Sequence, residues 1–110
     1  MIIPNAEHAF VDLEKLRGYA LNPSHRIGGH KAHLFASLLG ISMTDAEEFR
    51  NILLEVVSTY DADIGEYDKH GQRYRIGFVM SWRGQQATVR CAWNVRPNQD
   101  FPRLVTCYPL

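Results

Sequence analysis

From Tyr74 to Trp82 every second residue is apolar. Tyr74, Ile76, Phe78, Met80 and Trp82 share one side, and Arg73, Arg75, Gly77, Val79 and Ser81 the other. That period of two predicts a strand with one face against a core. Arg83-Gly84 predicts a tight turn. The next strand points Ala87, Val89, Cys91, Trp93 and Val95 inward and Thr88, Arg90, Ala92, Asn94 and Arg96 outward. Pro97-Asn98-Gln99-Asp100 predicts another turn, and Arg103–Tyr108 a third strand.

Upstream the period is helical. A short extended stretch, about His8 to Val11, leads to Asp12, a good N-cap for a helix over Leu13–Leu21. Asn22-Pro23 ends that helix, because a residue before proline avoids the helical region. A loop, Ser24-His25-Arg26-Ile27-Gly28-Gly29, opens a second helix over His30–Leu39. Lys31, Leu34, Phe35 and Leu38 would share its face, with Gly40 as a left-handed cap. Thr44 and Glu47 have capping-box spacing for a third helix, whose apolar face is Phe49, Ile52, Leu53, Val56, Val57 and Tyr60. The acidic stretch Asp61–Asp68 is expected to be a surface loop. The predicted fold is α+β: N-terminal helices packed on one face of a C-terminal antiparallel meander of three to four strands.

The chain has 110 residues, 45% of them hydrophobic. This fits one domain spanning 1–110 and excludes a two-domain enzyme with a separate cofactor module. No apolar run approaches the roughly 18 residues needed to cross a bilayer, so no membrane contact is expected. The start, Met1-Ile2-Ile3-Pro4-Asn5, lacks the basic flank and apolar segment of a signal peptide, and a cytoplasmic location follows as an expectation. Cys91 and Cys107 have no metal-ligand spacing. They read as reduced core thiols, with a single Cys91–Cys107 bridge as the alternative.

The formal net charge of zero conceals two unlike parts. Residues 1–68 hold 11 acids and 5 bases; residues 69–110 hold 7 bases and a lone acid, Asp100. Six of those seven bases are arginine, whose planar fork suits phosphate and carboxylate. One reading is a polyanion or acidic protein partner; the other is internal neutralisation, acidic helices against a basic sheet. The strand pattern favours the first. Arg73, Arg75, Thr88, Arg90, Asn94 and Arg96 fall on the face opposite the core, out of reach of helices that cover the apolar side, as a cradle for a phosphodiester chain.

Candidate chemistry concentrates at the start of the second helix. Gly28 and Gly29 before a helix would let backbone N–H groups converge on an anion, with Arg26, His30 and Lys31 adding charge. The alternative is a plain turn. Lys31, one turn before Leu34 and Phe35, is either a lysine whose stem covers apolar surface or one held at the sheet rim to stabilise a developing phosphorane. An imidazole suits acid–base work on a ribose 2′-hydroxyl, and His25 and His30 are the candidates; His33 and His70 read as solvated. No histidine pair has an attendant glutamate or cysteine, so neither a metal nor another cofactor is expected. No Gly-x-Ser-x-Gly elbow occurs, and the acids read as solvent-facing.

Two motifs carry a resemblance. The stretch Leu21-Asn22-Pro23-Ser24-His25-Arg26-Ile27-Gly28-Gly29-His30-Lys31-Ala32, with Phe35 and Leu39-Gly40, resembles the first motif of an uncharacterised small prokaryotic domain family. Ala87-Thr88-Val89-Arg90 through Trp93 to Pro102-Arg103-Leu104-Val105-Thr106-Cys107-Tyr108-Pro109 resembles its second. Domains of this kind occur alone, or at the ends of phage head-morphogenesis proteins and polymorphic toxins. They are similar to the barnase, EndoU, colicin and RelE group of metal-independent ribonucleases. The resemblance implies helices followed by a curved antiparallel sheet, and RNA cleavage. His25 or Lys31 would act on the 2′-hydroxyl or leaving oxygen, Arg103 and Arg90 would hold the phosphate, and Thr106 would hydrogen-bond it. Trp93 would stack a base or pack in the core. The expected partner is RNA or another polyanion, together with an acidic antitoxin or immunity protein. The alternative is a non-catalytic module that binds nucleic acid or an acidic protein through its arginine face.

Overall fold

The computed structural model describes residues 1–110. A 3-10 turn at Ala6–His8 precedes α1, whose α-helical turn Leu13–Lys15 continues as a π-helical turn, Leu16–Ala20. There the Leu21 N–H reaches back five residues to the Leu16 carbonyl at 2.9 Å. Asp12 caps this helix, its carboxylate accepting from the Glu14 N–H at 3.0 Å. Helix α2 spans Gly29–Leu39 and ends at Gly40 with φ 74°, the left-handed cap expected there. Helix α3 spans Ala46–Thr59 after a 3-10 turn at Met43–Asp45.

Four strands follow: β1 Asp63–Asp68, β2 Gly71–Trp82, β3 Gln85–Val95 and β4 Arg103–Pro109. They form one antiparallel sheet in the order β1-β2-β3-β4, a simple meander. The fold is α+β, with helices N-terminal and strands C-terminal. The turn between β2 and β3 places Arg83 at φ 47° and Gly84 at φ 86°, the doubly left-handed geometry that matches strand twist. Arg83 tolerates it because its guanidinium stacks on Trp82, 4.6 Å from the ring centre, and bonds Asp45 at 3.2 Å.

The helices cover one face of the sheet. All five predicted inward residues of β2 are buried, as are Val89, Cys91 and Trp93 of β3. They meet Phe35 and Leu39 of α2 and Phe49, Leu53, Val56 and Val57 of α3, with the Phe35 and Phe49 rings edge-to-face at 5.2 Å. A bulge between the Ala92–Thr106 and Trp93–Leu104 pairs skips Val105, so that Leu104 and Cys107 both turn inward.

Four local expectations are corrected. Residues 61–68 are not a loop, since Asp63–Asp68 is β1. The capping box before α3 is formed by Ser42 with Asp45, not Thr44 with Glu47. His8 belongs to a 3-10 turn, and only Phe10 makes a strand-like bridge, parallel to Arg103. The buried stripe of α2 is Gly29, Ala32, Phe35 and Leu39, which leaves Leu38 exposed and puts Lys31 on the flank. Small residues fill that stripe because α2 lies close against β3 and β4.

Candidate functional site: a cationic sheet face

The sheet register sets the uncovered face in rows. Arg73 lies opposite Asn94, and Asn94 opposite Arg103. The next row is Arg75, Ala92 and Thr106; the one beyond is Gly77, Arg90 and Tyr108. At about 3.3 Å per residue the first and third rows stand about 13 Å apart. No helix covers these side chains.

The acids of β1 reach part of this face. Arg75 donates to both oxygens of Glu66 at 2.8 and 3.0 Å, and Arg73 to Asp68 at 3.0 Å. Gly65 leaves the space: a Cβ there would come within 3.2 Å of the Arg75 guanidinium. The Arg75 hydrogen bond holds the Glu66 carboxyl below its ordinary range. Asp68 is lowered first by the His70 N–H, which it accepts at 2.8 Å, and then by Arg73. Arg75 is raised in turn by Glu66. Arg73 and Arg75 are thus matched within the chain, by acids of the neighbouring strand β1 and not by the acidic helices that the internal-neutralisation reading invoked. Lys69, Arg90, Arg96 and Arg103 pair with no carboxylate.

Of those cations, Lys69 and Arg96 border a concavity at the end of the sheet that carries the β1–β2 hairpin. Lys69, His70, Arg73, Asn94, Arg96 and Asn98 line it, and it adjoins a second hollow edged by Lys15, Asp12 and Arg103. Asn94 ties the floor together by donating to the His70 carbonyl at 2.9 Å, while its Oδ1 is buried without a partner. Arg103 is fixed at the mouth. Its Nε bonds Gln99 at 3.0 Å, and its guanidinium lies over Phe10 at 4.9 Å and Phe101 at 5.7 Å. His70, expected to be merely solvated, belongs to this hollow; the two-residue hairpin Lys69-His70 puts it there. Lys15, Lys69 and Asn98 are the members that sequence reading passed over, because they come from the first helix and two separate turns.

Lys31 reaches the face from the other side. Its Nζ sits 4.7 Å from the ring centre of Tyr108, whose strand is the edge of the sheet. Tyr108 lies opposite Arg90, and Thr106 is two residues along the same strand. The structure therefore brings Lys31, Arg90, Thr106 and Tyr108 to one margin, with Arg103 and Arg96 at the other.

His25 and the glycine pair do something else. The His25 Nδ1 accepts the N–H groups of Ile27 and Gly28, both at 3.0 Å, and its ring packs edge-to-face on Tyr19 at 4.6 Å. The Gly29 N–H goes to the His25 carbonyl. Gly28 and Gly29 are buried, and a Cβ on either would come within 2.7 Å of a carbonyl, of Tyr19 and Pro23 respectively. The N–H groups expected to cradle an anion are already occupied, and the glycines serve close packing of loop on helix. Arg26 and His30 are exposed outside this cluster.

Cys91 and Cys107 are opposite one another and free. Burial pushes Cys91 up to about 11 and Cys107 further still, so neither is an activated nucleophile. Trp93, fully buried, donates its indole N–H to the Cys91 sulfur at 3.2 Å and is a core residue. No three His, Cys, Asp or Glu side chains gather in a metal-binding cluster, and no helix is long and apolar enough to cross a membrane.

No curated protein matches this chain. Among solved structures, a chain of a contact-dependent growth inhibition toxin–immunity protein complex from Klebsiella pneumoniae 342 has a similar fold. Its TM-score is 0.60 at 17% identity, over 91% of this chain and 98% of that one. Residues 2–110 match the family described as a domain of unknown function (DUF6883), and the chain belongs to that family.

Proposed function

We propose that this domain is a toxin-type ribonuclease that cleaves RNA without a metal, holding the strand across its cationic sheet face. The observation that carries the reading is the set of cations with no carboxylate partner, Lys69, Arg90, Arg96 and Arg103, on one uncovered face beside an imidazole. A shape like that of a chain from a toxin–immunity complex supports membership of a toxin–immunity system. In this reading His70 takes the proton of a ribose 2′-hydroxyl as its oxygen attacks the adjacent phosphorus, the bond from phosphorus to the 5′-oxygen breaks, and that oxygen takes its proton from solvent water. The products are a 2′,3′-cyclic phosphate and a 5′-hydroxyl. Arg96 and Arg103 hold the phosphate at the hollow. Lys31, Arg90 and Thr106 bind the phosphate one or two nucleotides on, and Tyr108 offers a ring to a base. His25 positions the α2 loop and does not touch RNA. The domain acts in the cytoplasm and is held in check by an immunity protein.

The test is incubation with total RNA in EDTA. Cleavage leaving cyclic phosphate ends, lost in His70→Ala and in Arg103→Ala but kept in His25→Ala, is the expected result. Salt-sensitive binding without cleavage replaces this reading with the non-catalytic module. Neither binding nor cleavage overturns both.

A further inference from the structure

The sheet has an open edge that the cationic face does not use. Strand β1 pairs with β2 only from Gly71 to Arg75, so Ile76–Trp82 has a neighbour on one side alone, β3. In an antiparallel ladder, alternate residues direct their N–H and C=O groups to opposite sides. The two-residue turn after Trp82 makes Trp82–Gln85 a bonded pair with β3, and with it Met80, Phe78 and Ile76. Gly77, Val79 and Ser81 therefore aim their N–H and C=O groups outward, away from β3. No turn, loop or side chain bonds any of these six groups. All three residues are exposed, Val79 by 59%.

Directly beneath this edge, on the helix side, a groove runs between α3 and β2. Ile52, Val56, Tyr60, Phe78 and Met80 line it, and Glu55 stands in its wall with no cationic partner. Natural proteins protect long strand edges with proline, lysine or a covering segment, and none of these occurs along Gly77–Ser81. We infer that the β2 edge is a strand-addition site for a partner polypeptide. Its occupant is an extended segment of about five residues that pairs with Gly77–Ser81, sets an apolar side chain into the groove and places a lysine or arginine at Glu55. The length follows from the structure: β1 closes one end at Arg75 and the Arg83-Gly84 turn the other. A second copy of this chain suits the edge less well, since pairing two edges would bring two Glu55 carboxylates to one groove. The inference is independent of RNA cleavage, as the site lies at the opposite end of β2 from His70.

The experiment uses the full chain and a designed probe, acetyl-Lys-Val-Thr-Leu-Thr-Val-Lys-amide, followed by amide hydrogen exchange. At about 1 mM probe, a concentration suited to a weak single-strand contact, exchange at Gly77, Val79 and Ser81 is expected to slow tenfold or more. The same peptide N-methylated at alternate residues, and one with glutamate in place of lysine, are expected to slow it less than twofold. Val79→Pro should abolish the effect and leave RNA cleavage unchanged, since proline is tolerated on an edge where no ladder bond is made. Unchanged exchange with the probe overturns the inference. So does slowing that needs no peptide and grows with protein concentration, which would assign the edge to self-pairing.

Discussion

Glu66 grips Arg75 through both carboxylate oxygens, at 2.8 and 3.0 Å, from a strand built almost wholly of exposed residues. With the Asp68–Arg73 pair, it removes two of the arginines from the face that would meet a polyanion. Changing both acids to amides, Glu66→Gln with Asp68→Asn, is expected to tighten RNA binding. It should also steepen the dependence of log K on log salt by about 1.4, since each freed phosphate contact on a single strand adds about 0.7. Acid should act the same way. Both carboxyls are held below their ordinary range by the fold, so their pairs persist above that range and are lost as pH falls through the lowered values. Filter binding across salt and pH checks this, and an unchanged slope in the double variant would mean that Arg73 and Arg75 do not face the ligand.

Loss of the His25 ring should weaken the fold without touching chemistry. Its Nδ1 satisfies two N–H groups at the start of α2, and removing it leaves them to find water. His25→Ala should cost about 1–3 kcal/mol, read by urea unfolding, while the cleavage rate under folding conditions stays within twofold. A rate that falls far more than the folded fraction would return His25 to the catalytic group.

The glycine pair gives a sharper contrast. Gly28→Ala and Gly29→Ala each press a methyl against a backbone carbonyl that cannot swing aside, and each should cost about 1–3 kcal/mol. Gly18, in the π-helical turn, has nothing within 4 Å of an added Cβ. Gly18→Ala should therefore be neutral or gain about 0.5–1 kcal/mol from helix propensity. Thermal melting of the three variants separates the two outcomes.

The alternation in β2 and β3 was plain because each strand buries one face, so Tyr74 to Trp82 carried a strict period of two. Strand β1 buries neither face, and Ile64 and Tyr67 are 64% and 74% exposed, so its period held no information. The only signal for it was indirect: Asp68-Lys69-His70-Gly71 leaves a two-residue turn in front of an arginine strand that needs acids beside it. On α2, Lys31 and Leu38 drew the predicted face one position away from Ala32 and Leu39, because alanine weighs little in a hydropathy pattern even where close packing selects it. The hollow around His70 and Arg96 was hidden for another reason. Lys69, His70 and Asn98 belong to turns, and their meeting with Arg73 and Asn94 depends on the register between the strands.

The thiols supply a last test. Cys91 and Cys107 stand opposite one another across β3 and β4, within the core and without a bridge. Burial raises both, Cys91 to about 11, so at pH 8 neither forms appreciable thiolate. Reaction requires ionisation and access together. The native protein should therefore be inert to Ellman's reagent over an hour at pH 8 and release two equivalents of chromophore in urea. The Trp93 indole, bonded to the Cys91 sulfur, ties this chemistry to packing. Trp93→Ala should cost about 3–5 kcal/mol and make both thiols reactive without denaturant. Fast labelling of the unmodified native protein would place the cysteines at a surface and undo the assignment of the inner sheet face to the core.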